Sequence, residues 1–376
     1  MTERIARFLA AHAPETPCLV VDLDVIGEAY EVLRYYLPLA RIYYAVKANP
    51  AAEIVAMLNR KGASFDVASR GEIGLCLGNG VAPDRLSFGN TIKKEKDIAH
   101  AYQAGVRLFA FDSAHELEKL ARAAPGARVF CRILVTCDGA EWPLSRKFGC
   151  APEMAIELLR QARDAGLEPY GVSFHVGSQQ TDLGQWDGAV GTAAQMFSAL
   201  AEADINLRMV NIGGGFPAHY SGEVPGVERY AQAVMAAITR HFGNDLPEVI
   251  IEPGRSLVGD AGVIQSEVVL ISEKGGDDER RWVYLDVGKF NGLAETMDES
   301  IKYRIVTPGR GGSSSPVIIA GPTCDSADIL YEKTEYRLPL ALRVGDKIEI
   351  LSTGAYTASY ASVGFNGFDP IRTYCI

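Results

Sequence analysis

Six stretches carry residue types that can do chemistry together. The apolar run Ile42–Val46 ends on Lys47. An amine at the end of such a run loses hydration, its pKa is expected to fall, and it can attack an aldehyde to form a Schiff base; the plain alternative is a surface lysine. Gly213, Gly214 and Gly215 form a triple glycine after another apolar run, and Glu252-Pro253-Gly254-Arg255 follows the next. Backbone N–H groups without Cβ atoms can wrap a phosphate, and Arg255 adds charge to it; alone, the glycines read as a tight turn that needs positive φ.

An amine, a phosphate cradle and a carboxylate are the needs of pyridoxal 5′-phosphate, whose pyridine nitrogen requires an acid if the ring is to draw electrons strongly. Glu252 is the candidate acid; a solvent-facing glutamate is the alternative. His175 can stack on the pyridine face or be a satisfied core histidine. Asp66 can pair with Lys47, with His175 or with neither, or cap the helix expected over Ala68–Leu77. Arg132 can hold Glu252 or serve as a structural ion pair.

The elements that must position these residues have a regular order. Eight apolar runs rich in Val, Ile, Phe and Tyr read as buried strands: Ile42–Val46, Ala63–Val67, Leu86–Gly89, Arg107–Asp112, Ala127–Val135, Gly171–Val176, Arg208–Gly213 and Glu248–Glu252. Between them, Ala51–Lys61, Lys93–Ala104, Ala114–Ala124, Pro152–Ala165 and Val227–His241 show apolar residues at helical spacing. Strands alternating with helices predict an α/β fold, a (β/α)8 barrel, with its site at the carboxyl ends of the strands. All the residues named above fall there.

After Arg255 the pattern turns to β. Gly262–Ser272, Arg281–Val287, Pro316–Ala320 and Lys347–Leu351 read as strands, with a turn at Gly345-Asp346 and a flexible loop at 309–316. The expected domains are an amino-terminal segment 1–24 contributing to the β domain through Cys18–Val21, a barrel 25–259 and a carboxyl-terminal, mostly-β domain 260–376. The polar stretch Asp138–Lys147 is expected to close over the site.

Composition narrows the partners. The chain has 376 residues and a formal net charge of −10, which disfavours nucleic acid and suits a small cationic substrate. Its seven cysteines are scattered without a Cys-x-x-Cys pair. Neither a disulfide framework nor a thiolate metal site is expected, and the cytoplasm is the expected compartment. No apolar run approaches the roughly 20 residues that span a bilayer, so no membrane association is expected.

The motifs YAVKAN (44–49), FDVASRGEI (65–73), FHVGSQ (174–179), NIGGGFP (211–217), EPGR (252–255) and GPTCDSAD (321–328) occur in one order along most of the chain. In these the chain resembles the fold-type III pyridoxal-phosphate decarboxylases, the ornithine/lysine branch of the alanine racemase-like barrel. The resemblance implies that Lys47 binds the cofactor covalently and that His175 stacks on its ring. Ser178, Gly213 to Gly215, Gly254, Arg255 and Tyr356 cradle the phosphate. Glu252 partners the pyridine nitrogen with Arg132 in support, and Asp66 and Glu72 are an acidic pair near the lysine. Cys324 is implied as the proton donor to the substrate carbon, Asp325 as the receiver of the distal ammonium, and Phe365 as an aromatic lining the substrate.

The family arrangement further implies a homodimer in which Cys324 and Asp325 enter the partner's site. The alternatives are an inert thiol at Cys324 and a short helix over Ser326–Tyr331 capped by Asp325 or Asp328. Asp286 is displaced by one position from the family's Asp-Gly pair, so its reach to the distal amine stays open.

Alanine racemases place an arginine where this chain has Glu252. Diaminopimelate decarboxylases, the nearer alternative, carry Cys-Glu-Ser where this chain has Cys324-Asp325-Ser326. A regulatory homologue is expected to lose Lys47 or Cys324. The expected activity is decarboxylation of L-ornithine to putrescine, of L-lysine to cadaverine, or of both, in polyamine biosynthesis. The two substrates differ by one methylene, worth about 1–3 kcal/mol in a pocket.

Overall fold

The computed structural model describes residues 1–135, 140–142, 147–275 and 280–376. Asp138–Lys147, expected to close over the site, lies largely outside these residues. The chain divides into two compact units, one of residues 27–217 and 224–256, the other of residues 1–26, 218–223 and 257–376.

The first unit is built on a closed barrel of eight strands, Ala40–Ala45, Ser64–Val67, Leu86–Phe88, Leu108–Phe111, Arg128–Arg132, Glu168–Ser173, Met209–Asn211 and Glu248–Ile251. All neighbours are parallel, and Val249 opposite Ala40 closes the ring. Every predicted run holds a strand, and all but Ser64–Val67 end one to three residues before the run does, because the site loops begin where the ladder stops. Tyr43, Leu108, Ala110, Phe130, Met209 and Ile250, from five strands, meet in one cluster. The helices bury one stripe each. Helix Pro152–Asp164 starts on a proline, whose missing N–H is free of cost there, and buries Ala155, Leu158, Leu159 and Ala162. Burying each leucine contributes about 1.5–3 kcal/mol. Helix Gln185–Ala201 was not anticipated: its glycines and alanines blur the apolar stripe that Trp186, Val190, Met196 and Leu200 complete.

The second unit is an eight-stranded sheet. Strand Gly262–Ser272 is its hub. Its first half pairs with Cys18–Val21 and Lys347–Leu351, and its second half, past a bulge near Val268, pairs with Arg281–Leu285. Helix Glu3–His12, capped by Thr2, buries Ile5 and Leu9 against Cys18, Val20 and Val263. One expectation and one alternative fail. The loop over 309–316 ends early, because Ser314, Ser315 and Pro316 belong to strand Ser314–Ala320. The short helix over Ser326–Tyr331 is absent; strand Ile329–Pro339 starts there and pairs antiparallel with Ser314–Ala320. Its exposed Glu332, Lys333 and Glu335 are the charges of a protected edge strand, and they masked its β character. No helix among the described residues is long and apolar enough to cross a membrane.

Candidate active site

Lys47 lies in a 3-10 turn, Val46–Ala48, directly after strand Ala40–Ala45. Its Nζ sits 2.9 Å from Asp66 Oδ2, with the lysine side chain 46% exposed and the aspartate 5%. The dry lysine expected from the sequence is therefore a half-exposed one held by a buried carboxylate. A second lysine, Lys93, is fully buried; its Nζ meets Glu116 Oε1 at 3.1 Å and donates to the Asn90 and Ala110 carbonyls. Burial pushes the Lys93 amine down to about 8 despite Glu116. Asp66 is not a helix cap. The cap is Ser69, whose Oγ accepts the Glu72 N–H at 3.3 Å, while Glu72 Oε2 reaches back to accept the Ala68 N–H at 2.7 Å. Burial raises the Glu72 carboxyl, and the charge of Asp66 adds to this.

Glu252 follows strand Glu248–Ile251. Asn211 Nδ2 donates to its Oε1, and Asn211 Oδ1 accepts the Gly213 N–H at 2.9 Å. Burial, then the nearby Asp66 charge, lifts the Glu252 carboxyl to about 7, against the opposing pull of Lys47, Asn211 and Arg132. Arg132, at the end of strand Arg128–Arg132, also lies 5.1 Å over the Phe148 ring. The imidazole of His175 accepts the Gly177 N–H on Nδ1 at 3.0 Å, which leaves its proton on Nε2. Burial lowers its pKa well below the ordinary range, aided by the charges of Arg132 and Lys47, so the ring is neutral.

The triple glycine is required by contact as well as by conformation. Gly213 and Gly215 have φ of 68° and 98°. A Cβ on Gly214 would lie 2.6 Å from the Glu252 carbonyl oxygen, one on Gly215 would lie 2.7 Å from that of Gly177, and one on Gly213 would strike that of Phe174. Next to this loop, Ser178 Oγ accepts from Arg255 Nε at 3.1 Å, and Arg255 is only 3% exposed. Gly254 precedes it.

The other expected residues lie in the β unit. Tyr356 has φ of 54°, a strained value for a bulky side chain. Cys324 and Asp325 are exposed in the connection between strands Ser314–Ala320 and Ile329–Pro339. Cys324 is thus not a buried inert thiol. Phe365 packs its ring 5.0 Å from that of Phe290. Asp286 Oδ1 accepts from Ser266 Oγ and from the Glu267 N–H, which ties this carboxylate into its own sheet.

A family model described as pyridoxal-dependent decarboxylase, pyridoxal binding domain, matches residues 23–259. A lysine/ornithine decarboxylase of Selenomonas ruminantium is 35% identical over 98% of this chain and 91% of that enzyme. This chain belongs to the pyridoxal-dependent decarboxylases. Among solved structures, the decarboxylase is similar to the lysine/ornithine decarboxylase of Vibrio vulnificus complexed with cadaverine, at TM-score 0.89 and 31% identity over 100% of this chain and 99% of the other. It is also similar to the arginine decarboxylase of Paramecium bursaria Chlorella virus, at TM-score 0.89 and 26% identity over 100% of both chains.

The residues of this decarboxylase's barrel mouth fit pyridoxal phosphate. The three glycines make a tight turn directly after a barrel strand, two of them at positive φ, the buried Arg255 bonds Ser178, and a lysine and a near-neutral carboxyl stand on the same mouth. The sequence reading assigned no role to Asn211. The only signal was its place two residues before the triple glycine, where a buried polar side chain must bond to its neighbours.

Proposed function

We propose that this decarboxylase converts basic L-amino acids to diamines, L-ornithine to putrescine and L-lysine to cadaverine, in polyamine biosynthesis. The reading is carried by Glu252, a carboxyl poised near neutrality beside a lysine–aspartate pair. A group at that pKa shares a proton readily with a pyridine nitrogen, which decarboxylation needs more than racemisation does. When bound, pyridoxal phosphate supplies the sink for the electron pair released from the Cα–carboxylate bond. Lys47 would hold the cofactor through its Nζ, and Asp66, 2.9 Å away, would keep that amine oriented. Arg255, Ser178, Tyr356, Gly254 and the N–H groups of the triple glycine would hold its phosphate. His175 is neutral, so against the cofactor ring it would bring no second positive charge. Arg132 balances Glu252, and Asn211 fixes its direction.

In the β unit, Cys324 returns a proton to Cα, Asp325 receives the distal ammonium and Phe365 packs on the aliphatic chain. Asp286, committed to its own sheet, is a weaker candidate for the ammonium. The family resemblance supports a twofold dimer with shared sites, and the scattered thiols support a cytoplasmic location. For function we divide the chain into a segment 1–24, a barrel 25–259 and a β domain 260–376.

The test is a competition among equal concentrations of ornithine, lysine, arginine, meso-diaminopimelate and alanine, read by mass spectrometry with chiral separation. Putrescine or cadaverine is expected. L-lysine from diaminopimelate, agmatine alone, or D-alanine without any amine would overturn the substrate assignment.

A further inference from the structure

The connection 321–328 carries Cys324 and Asp325 between two antiparallel strands that separate at Ala320 and Ile329. An exposed loop of this kind has no intrinsic reason to hold one shape. Here it is fastened at two points. Its last residue, Asp328, is only 2% exposed and turns back into the loop. Asp328 Oδ2 accepts the Thr323 N–H at 3.1 Å and the Thr323 hydroxyl at 2.7 Å. Its Oδ1 accepts the Lys289 N–H at 2.7 Å. The backbone joins in: Gly321 N–H donates to the Asp328 carbonyl at 2.8 Å, and Asp328 N–H to the Asp325 carbonyl at 3.0 Å. A Cβ on either Gly288 or Gly321 would strike this carboxylate, so both backbones close on it. The second fastening is Asn366, at φ 51°, whose Oδ1 accepts the Cys324 N–H at 2.8 Å. Asn366 directly follows Phe365, and Ser362 N–H donates to the Phe290 carbonyl at 2.8 Å, which anchors that segment.

We propose that Asp328 and Asn366 are positioning residues for the reaction: Asp328 closes the 321–328 loop from within, and Asn366 ties the Cys324 backbone to the segment that bears Phe365. The inference rests on the proposed roles of Cys324 and Asp325. Neither positioning residue touches substrate in this scheme. Asp328 sets where both functional side chains start, whereas Asn366 sets only Cys324. Asn cannot replace Asp328, because an amide presents one acceptor and turns its NH2 toward N–H donors, leaving at least one buried donor without a partner. An Asp at 366 keeps an acceptor for the Cys324 N–H. A Ser at 323 keeps the hydroxyl bond, and a Val of the same shape deletes it.

The test uses the full-length protein and two readouts. Without added cofactor, the rate of Cys324 alkylation by iodoacetamide is followed peptide by peptide. With pyridoxal phosphate, kcat and KM for ornithine and lysine are measured. Asp328→Asn is expected to change the alkylation rate at least about threefold, to lower kcat about tenfold or more and to raise KM. Asn366→Ala is expected to lower kcat by about two- to tenfold, the effect of one hydrogen bond, with KM nearly unchanged. Asn366→Asp and Thr323→Ser stay near the parent, and Thr323→Val falls below Thr323→Ser.

Folded Asp328→Asn and Asn366→Ala proteins with parental alkylation and parental kcat would overturn the proposal. If Asp328→Asn does not fold, equal values for Thr323→Val and Thr323→Ser, together with parental Asn366→Ala, overturn it. Cys324→Ala with unchanged kcat would remove the proton-donor role instead, and the alkylation rates then decide positioning by themselves.

Discussion

Replacing Glu252 by Gln should stabilise the cofactor-free protein at high pH while disabling the loaded enzyme. Burial and Asp66 lift the carboxyl from an ordinary 4.5 to about 7. A raised carboxyl means that, between those two values, the folded state binds more protons than the unfolded one. Stability therefore falls as pH rises through this window, and the whole cost is present above the folded pKa. The rise corresponds to about 3 kcal/mol at most above pH 8, and to less than half of that at pH 5.5. Gln keeps the shape and still accepts from Asn211, but carries no charge. Thermal melting of both proteins without cofactor at pH 5.5 and pH 8.5 reads the difference. At about 1–2 °C per kcal/mol for a chain of this length, the variant should melt about 2–5 °C higher at pH 8.5 and gain less than half as much at pH 5.5. With cofactor, kcat should fall about 100-fold or more, because a neutral amide cannot keep a proton on the pyridine nitrogen. An equal gain at both pH values, or a loss at pH 8.5, would show that Glu252 is not the strained acid described above.

Gly214→Ala forces a Cβ to 2.6 Å from the Glu252 carbonyl oxygen; it should cost about 1–3 kcal/mol in urea unfolding and weaken cofactor binding in equilibrium dialysis. Asn211→Ala removes bonds to both Glu252 and the Gly213 N–H. It should cost about 1–3 kcal/mol and move the Glu252 carboxyl further up, which infrared titration of the carboxyl band can follow. Asp325→Asn should raise KM for ornithine and lysine about tenfold or more, the cost of one lost charge pair, with a smaller change in kcat, measured by steady-state kinetics.

The barrel was legible because buried parallel strands are continuous apolar runs, and residues such as Lys47, His175 and Glu252 interrupt them only at their carboxyl ends. Strand Ile329–Pro339 was hidden because its exposed charges suit an edge, and helix Gln185–Ala201 because small residues fill its faces. Asp66 and Ser69 are equally good helix caps by type; the strand runs through Asp66 to Val67 and leaves the cap of helix Arg70–Gly78 to Ser69. The hydration of Lys47 was misjudged for a related reason. A strand end tells where a side chain starts, not how far it reaches toward solvent, and the fully buried lysine, Lys93, sits five residues past strand Leu86–Phe88. Asn211 acquires its role from two partners, one of them 41 positions away, which no local pattern contains.

Lys93 also supplies the sharpest rival to Lys47, since its amine is lowered to about 8. Full-length protein loaded with pyridoxal phosphate, reduced with borohydride, digested and mapped by mass spectrometry identifies the lysine that holds the cofactor. The expected result is a pyridoxyl group on Lys47, with Lys47→Ala giving neither that label nor any diamine from ornithine or lysine. A label on Lys93 or another lysine, with diamine still formed by Lys47→Ala, would contradict the assignment of this barrel mouth as the active site.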